Sequence, residues 1–330
     1  MSPRASLTRI VRRNGWVIGL CTLLGVLLIV TKIIQPNYGA AGFGSLVRAA
    51  LPFAFAAAAQ ALVVIVGGVD LSIASMMALT SVTAATLMEG SSEEFAILVV
   101  LLVLLMGLVL GAINGALIVI TRVPDIVVTL AMLFVWEGAA LLVLQAPGGA
   151  AAQWLKALIV GTVDVAWLPR EVSTWIPKGL VLLVVALGVV WIPLRRSRLG
   201  LSMYAVGSDP LAAFRSGVAI GRTKIVAYAL AGLFAAMGGL VLTMSTGIGA
   251  PIPGPYLLAS VAAVVLGGVT LGGGKGGLIG PIVAVLILRL VRTDLTFLAI
   301  DPNVTTIIEG TIMVFVVMLG GLVALRSHPR

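Results

Sequence analysis

Positions 95–120 read FAILVVLLVLLMGLVLGAINGALIVI and contain no charged residue. At about 1.5 Å of rise per residue, a helix over this stretch is long enough to cross a hydrocarbon core about 30 Å thick. Further apolar runs fall near 15–34, 46–66, 71–88, 126–145, 178–194, 225–245, 256–271, 278–298 and 304–324. The expectation is an all-α fold: a polytopic membrane protein with about ten transmembrane helices, some broken or re-entrant, forming one membrane domain over 1–330. The second, third and eighth runs are interrupted or short, as broken or re-entrant helices are.

Composition agrees. Of the 330 residues, 60% are hydrophobic and only 10% charged, against about a quarter charged in soluble domains. The net charge of +9 does not point to nucleic acid, because the basic residues lie between apolar runs rather than in a stripe with interleaved aromatics. The charge map reports orientation instead. Arg4, Arg9, Arg12 and Arg13 precede the first run, which is too long for a signal-peptide core, so a retained helix with a cytoplasmic N-terminus is expected. Threading ten spans from there places Arg122, the segment 195–224, Lys275, Arg326 and Arg330 inside, and Glu89, Glu93, Glu94, Asp164 and Glu171 outside. Both termini are then cytoplasmic.

Two connections are long. The outer one, about 146–177, carries Trp154, Trp167 and Trp175 with several prolines, as a cap at headgroup level would. The inner one, about 195–224, is the most polar stretch between two spans and has room for a short helix lying along the membrane. Ile65-Val66-Gly67-Gly68-Val69-Asp70-Leu71 is echoed by Val265-Leu266-Gly267-Gly268-Val269-Thr270-Leu271. The echo is either a parallel internal repeat or coincidence between two glycine-rich apolar runs.

Several apparent motifs are decoys. Gly272, Gly274 and Gly277 satisfy G-x-G-x-x-G, but the required strand, helix and later acidic residue have no place between two spans. A phosphate loop fails too, since Val269 and Gly276 stand where glycine and Ser/Thr belong. The stretch reads as a tight turn with close helix packing. His328, two residues from the end, and Cys21, inside the first run, offer no catalytic or metal-binding set. No cofactor is expected in this chain, and catalysis is not. Gly107, Gly111 and Gly115, four residues apart, let a neighbouring helix approach closely.

Polar residues within the apolar runs are the candidate pathway. Asp70, between two runs, is costly unless paired or capped. It caps the helix that starts at Leu71, or with Ser72 lines a pathway opened by the Gly67-Gly68 break, and the two readings are compatible. Glu137, past the middle of the fifth run, and Asn114, on the fourth, are the other candidates, each lining a polar cavity or pairing with a neighbouring span.

Gly67-Gly68-Val69-Asp70-Leu71-Ser72 resembles the G-G-[IV]-D-L-S signature of the membrane-spanning subunits of bacterial ABC importers for monosaccharides, of the ribose, xylose and galactose type. Asn114-Gly115 is similar to that family's N-G pair, and Pro124 with Val128-Thr129-Leu130 to its P-x-x-[IV]-x-T-L pattern. Ala205-Val206-Gly207-Ser208-Asp209, then Ala212-Ala213 and Ser216-Gly217-Val218, resembles A-[IV]-G-x-N-x-x-A-A-x-x-S-G-[IV], the family's coupling helix. Leu266-Gly267-Gly268 and the glycines after it resemble a later G-G-x-x-x-x-G-G-x-G stretch.

The resemblance implies a permease that works as a homodimer or heterodimer in the bacterial inner membrane. Two cytoplasmic ATP-binding-cassette subunits hold ATP and Mg, and a periplasmic sugar-binding protein delivers the solute. It assigns coupling to Gly207, Asp209, Ala212, Ala213, Arg215, Ser216 and Gly217. Asp209 stands where the family usually has Asn, and Pro210-Leu211 and Phe214-Arg215 also depart from its pattern. Glu137 occupies a position where a basic residue is expected. Alternatives are an ion-coupled secondary transporter using Asp70 and Glu137, a related permease for branched-chain amino acids or nucleosides, and a scaffold or receptor without transport.

Overall fold

The structure is a computed structural model and describes residues 3–164 and 169–326. Trp167, His328 and Arg330 lie outside the described residues. Fourteen helices follow in order: α1 (Pro3–Ile34), α2 (Ala40–Ile65), α3 (Ile73–Met88), α4 (Phe95–Thr121), α5 (Asp125–Val143), α6 (Gln153–Ala157), α7 (Arg170–Ser173), α8 (Lys178–Arg196), α9 (Arg198–Ser208), α10 (Pro210–Arg215), α11 (Ile220–Thr246), α12 (Tyr256–Leu266), α13 (Ile279–Phe297) and α14 (Pro302–Arg326). Among the described residues there is no strand, only two isolated bridges, Gly148 with Gly249 and Thr162 with Pro177.

Every apolar run expected to be a span coincides with a helix, but the helices are not equivalent. Among the described residues six are long and apolar enough to cross a membrane: the segment Gly15–Ile34 of α1, and α2, α4, α5, α8 and α11. The apolar helices α3 and α12 are shorter, with 16 and 11 residues. The region 195–224 is also more helical than expected. It holds two short helices, α9 and α10, and α11 begins inside it.

Packing sorts the helices into a centre and a periphery. From Leu46 to Ile65 nearly all of α2 is buried, and α3 and the middle of α11 are buried with it. By contrast α1, α4, α5 and α8 turn broad apolar faces outward, as helices facing lipid do. The Gly107, Gly111, Gly115 stripe lies against α11, as the spacing predicts. A Cβ on Gly111 would overlap the Tyr228 carbonyl oxygen, and one on Gly232 of α11 would overlap the Gly107 carbonyl oxygen. Each helix therefore supplies glycine exactly where the other's backbone comes closest.

Both sequence breaks are real, and both helices end in the same way. Gly67 N–H donates to Val64 O (3.0 Å) and Gly68 N–H to Val63 O (2.9 Å). Gly268 N–H donates to Val265 O (3.0 Å) and Val269 N–H to Val264 O (3.1 Å). This is the paired capping pattern that ends a helix at a left-handed residue, here Gly67 (φ 88°) and Gly268 (φ 80°). The matching positions are one residue out of register with the echo seen in the sequence.

Gly111→Ala is expected to destabilise the protein by about 1–3 kcal/mol, because the added methyl forces apart two packed backbones. Gly138→Ala on α5, where nothing lies within 4 Å of the new Cβ, serves as the comparison. Thermal unfolding in detergent should separate the two, with a lower midpoint for the first alone.

Candidate functional site

A helix that stops inside a buried bundle leaves backbone groups without partners, each costing several kcal/mol in hydrocarbon. The segment 66–72 between α2 and α3 is such a place, and its neighbours supply the partners. Asp70 is fully buried. It does not cap α3, which starts at Ile73 with Ser72 in the capping position. Instead its Oδ1 accepts from the Ser72 N–H (2.8 Å) and the Ser72 hydroxyl (2.7 Å), a tight local turn. Asn114 on α4 donates through Nδ2 to Ser72 Oγ (2.7 Å), and Trp136 on α5 donates through Nε1 to Asn114 Oδ1 (3.2 Å). Asp70 Oδ2 is buried and unpartnered.

Three of the four pathway residues expected from sequence, Asp70, Ser72 and Asn114, thus form one hydrogen-bonded chain, ending on Trp136. Glu137 does not join it. It is half-buried on α5 and makes no hydrogen bond or ion pair among the described residues.

A second group over the same break was not foreseen. Asp125, at the first turn of α5, accepts from the Tyr228 hydroxyl (3.0 Å) and pairs with Lys224 Nζ (3.3 Å), both on α11. The Asp125 carboxylate and the Tyr228 hydroxyl lie directly over Gly68, where a Cβ would overlap them. Thr129 Oγ1, one turn along α5, is 2.8 Å from Asp125 O and 3.2 Å from Val69 O. The Thr129 in the P-x-x-[IV]-x-T-L pattern therefore reaches the backbone of the break.

The α9–α10 segment meets the same break from the other side. Asp209 caps α10 by accepting from the Leu211 N–H (2.9 Å) and Ala212 N–H (3.0 Å), a role Asn fills equally well. Ala213 is buried beneath α10, while Leu211, Phe214 and Arg215, three and four residues apart, project outward from one face. Leu211 and Phe214 are 58% and 67% exposed. The positions that depart from the coupling pattern are largely those on the outer face. Asp209, Ala212, Ser216 and Gly217 are exposed as well, and Gly207 is buried.

Gly207, in the last turn of α9, forms the junction. A Cβ there would overlap the Ile65 carbonyl oxygen at the end of α2 and come within 2.5 Å of Gly274 N. Gly274 N–H donates to that same Ile65 carbonyl (2.9 Å). A Cβ on Gly273 would lie 2.9 Å from Gly207 Cα and 3.0 Å from Gly67 Cα. Three chain segments thus meet backbone to backbone, and the glycine-rich stretch 271–277 is a tight packed turn. Tyr204 on α9 donates to the Gly276 carbonyl (2.8 Å). Burial pushes its phenol above its ordinary range, so it remains a donor.

At the opposite end of the bundle the long connection folds back onto Glu93. Its carboxylate accepts from the Gln153 N–H at the start of α6 (3.1 Å), and its carbonyl accepts from the Trp154 indole (2.9 Å). Among the described residues no group of His, Cys, Asp and Glu is placed to hold a metal ion.

These features define a multi-pass membrane protein with discontinuous central helices, a polar network at one break, and a short exposed helix connected to that break through glycine backbone. Residues 42–317 match the family described as branched-chain amino acid transport system / permease component, and the chain belongs to that family. Similar relatives include autoinducer 2 import system permease proteins LsrD of Escherichia coli O9:H4 (strain HS), Escherichia coli K12 and Shigella flexneri. Each is 27% identical over 326 residues, covering 96% of this chain and 94% of the relative. No solved structure matches the chain.

Asn114→Ala leaves the Trp136 indole without its acceptor and removes the bond that Ser72 Oγ accepts, and should lower stability by about 1–3 kcal/mol. Glu137→Gln removes nothing from the chain of bonds and should change it by less than about 0.5 kcal/mol. Chemical unfolding of both variants in detergent micelles measures the difference.

Proposed function

We propose that this chain is the permease subunit of a binding-protein-dependent ABC importer in the bacterial inner membrane, and that its solute is a monosaccharide. The ten apolar helices are ten crossings, with both termini and the α9–α10 segment cytoplasmic and the 146–177 connection periplasmic. The matching end caps of α2 and α12 support reading the two breaks as parts of a parallel repeat. Two copies, or this chain and a related one, make the pathway. ATP and Mg belong to two separate ATP-binding-cassette subunits, and a periplasmic sugar-binding protein delivers the solute. Membership of the permease family and the import-system relatives support import driven from outside the chain.

The observation that carries the mechanism is the connection between α10 and the break. An ATPase surface that receives Leu211, Phe214 and Arg215 takes hold of α10. Movement of α10 is delivered along two short routes. One runs through α9 and Gly207 to the end of α2 and Gly67. The other runs through Gly217 into α11, whose Lys224 and Tyr228 hold Asp125 over Gly68. Both end on the segment 66–72, where Asp70, Ser72 and Asn114 sit. Closure of the ATPases on ATP thereby shifts α3 against α4 and α5 and opens the pathway outward, and hydrolysis resets it. Glu137 stands apart from this chain of bonds, half-buried on α5 and free to face the solute.

The test is reconstitution in proteoliposomes with a candidate ATPase subunit and binding protein. Uptake of a monosaccharide should require ATP. Phe214→Ser should lower binding-protein-stimulated hydrolysis at least about tenfold, as loss of one aromatic anchor does, without changing the unfolding midpoint. Uptake by the permease alone, driven by a proton or sodium gradient, would contradict the reading and favour an ion-coupled carrier.

A further inference from the structure

The mechanism leaves one set of charged side chains unused. Arg289 and Arg292 on α13 face Glu309 on α14, within helices expected to lie in the membrane. Arg292 donates to Glu309 Oε2 at 2.7 Å, which satisfies that oxygen. Glu309 Oε1 is buried and has no hydrogen-bond partner, although Arg289 lies 3.6 Å away. Glu309 is only 8% exposed. The Arg289 guanidinium makes no hydrogen bond among the described residues. It rests 4.0 Å above the Phe53 ring of α2, and Tyr256 of α12 packs against the same ring at 4.5 Å between centroids.

Of these groups Phe53, Arg289 and Glu309 line a cavity of about 10 Å³, together with Ala259, Val285, Leu288 and Met313. That volume holds no more than one water. A buried ion pair built only to fasten α14 should use both carboxylate oxygens and the guanidinium donors, since each unmade bond in this setting is costly. Here one acceptor and a set of donors are left facing the same space.

Position along the helices gives the depth. Phe53 is twelve residues before the end of α2 and Arg289 ten after the start of α13. At about 1.5 Å per residue both lie about 15–18 Å from the end that carries α9, near the middle of a bilayer core. Gln60, seven residues along α2 from Phe53 and so on the same face, is fully buried with both amide atoms unpartnered. Polar groups with spare hydrogen-bonding capacity therefore continue from the cavity toward the break at Gly67.

We propose that Phe53, backed by Tyr256, forms with Arg289 and Glu309 a solute-binding station near the mid-membrane, between α2, α12, α13 and α14, that takes a neutral polyhydroxylated ring. A vicinal diol supplies a donor to Glu309 Oε1 and an acceptor to Arg289, and the apolar C–H face of the ring packs against Phe53. An anion would meet the free carboxylate oxygen, and an apolar solute would leave both charged groups unpaired. In the arrangement described the station is closed. It opens when α14 separates from α12 and α13. The proposal rests on the reading of the chain as a monosaccharide permease and adds where within it the sugar is held.

The experiment is ATP-dependent uptake of labelled D-ribose, D-xylose and D-galactose by the reconstituted complex, comparing wild type with Glu309→Gln, Phe53→Leu and Arg292→Gln. For whichever sugar the wild type imports, Glu309→Gln and Phe53→Leu should raise KM about tenfold or more and change the maximal rate less than about threefold, the pattern of lost binding contacts. Arg292→Gln removes the bond that holds Glu309 Oε2 but lies outside the cavity lining, so its unfolding midpoint should fall while its KM rises less than that of Glu309→Gln. Equal KM values across wild type, Glu309→Gln and Phe53→Leu would overturn the station while leaving the permease reading intact. A similar loss of stability for Glu309→Gln and Arg292→Gln with no change in KM would assign the cluster to fastening α14 alone. Import of none of the three sugars by the wild type would overturn both readings.

Discussion

A helix that ends within a membrane-buried bundle must find hydrogen-bond partners that are not water, and the end of α2 at Ile65 sets that demand for this protein. Its carbonyl accepts from Gly274, its last turn is closed by Gly67 and Gly68, and the extended residues after it are held by Thr129 and Ser72. The hydrogen-bond partners come from α4, α5 and the 271–277 turn, while α9 and α11 pack against the segment. Nearly every polar contact in the interior at this end of the bundle thus arises from one interrupted helix. The glycines follow from the same demand, because backbone donors and acceptors on different segments reach each other only where no side chain intervenes.

This arrangement pairs the backbone at the end of α2, leaves Asp70 Oδ2 unpartnered, and distributes the hold on the break over separate elements. A continuous helix would transmit displacement along its axis, whereas the segment 66–72 is held by side chains on separate elements and answers to each. Two of those holds lead to the exposed helix α10, through Gly207 and through Lys224 and Tyr228 of α11. The third leads through Ser72 and Asn114 to Trp136 and so to the lipid-facing helices α4 and α5. On the proposed mechanism, force applied at the surface has short paths to the fully buried Asp70, with no need for the long helices to bend.

Much of this was legible in the sequence, and what was not has physical reasons. The apolar runs announced every long helix, because a period of length and hydropathy is local information. Gly67-Gly68 and Asp70 stood out for the same reason, as a breaker and a charge inside an apolar run. The pairing of Asp125 with Lys224, 99 residues apart, was invisible to such reading. Each sits at the edge of a run, where a charge is ordinary, and Lys224 served only as a marker of orientation. The available signal was Tyr228, one turn from Lys224 and facing the same way. Arg289 and Arg292 were likewise hidden within a run judged by its average hydropathy, although two arginines three residues apart in such a run require a carboxylate nearby. Asp70 was foreseen both as a cap of α3 and as a pathway residue, and it is not the cap. The helix starts two residues later because the side chain closes its own turn with Ser72.

The central claim is that movement of the exposed segment reaches the break through contacts such as that of Asp125 with Lys224. The most direct test is the number of ATP molecules hydrolysed per solute imported, measured in proteoliposomes for the paired variant Asp125→Asn with Lys224→Met, which removes the ion pair while keeping both side chains' bulk. The account predicts that binding-protein-stimulated hydrolysis continues while uptake per ATP falls well below that of the wild type. A paired variant that folds and imports with the wild-type ratio would contradict it.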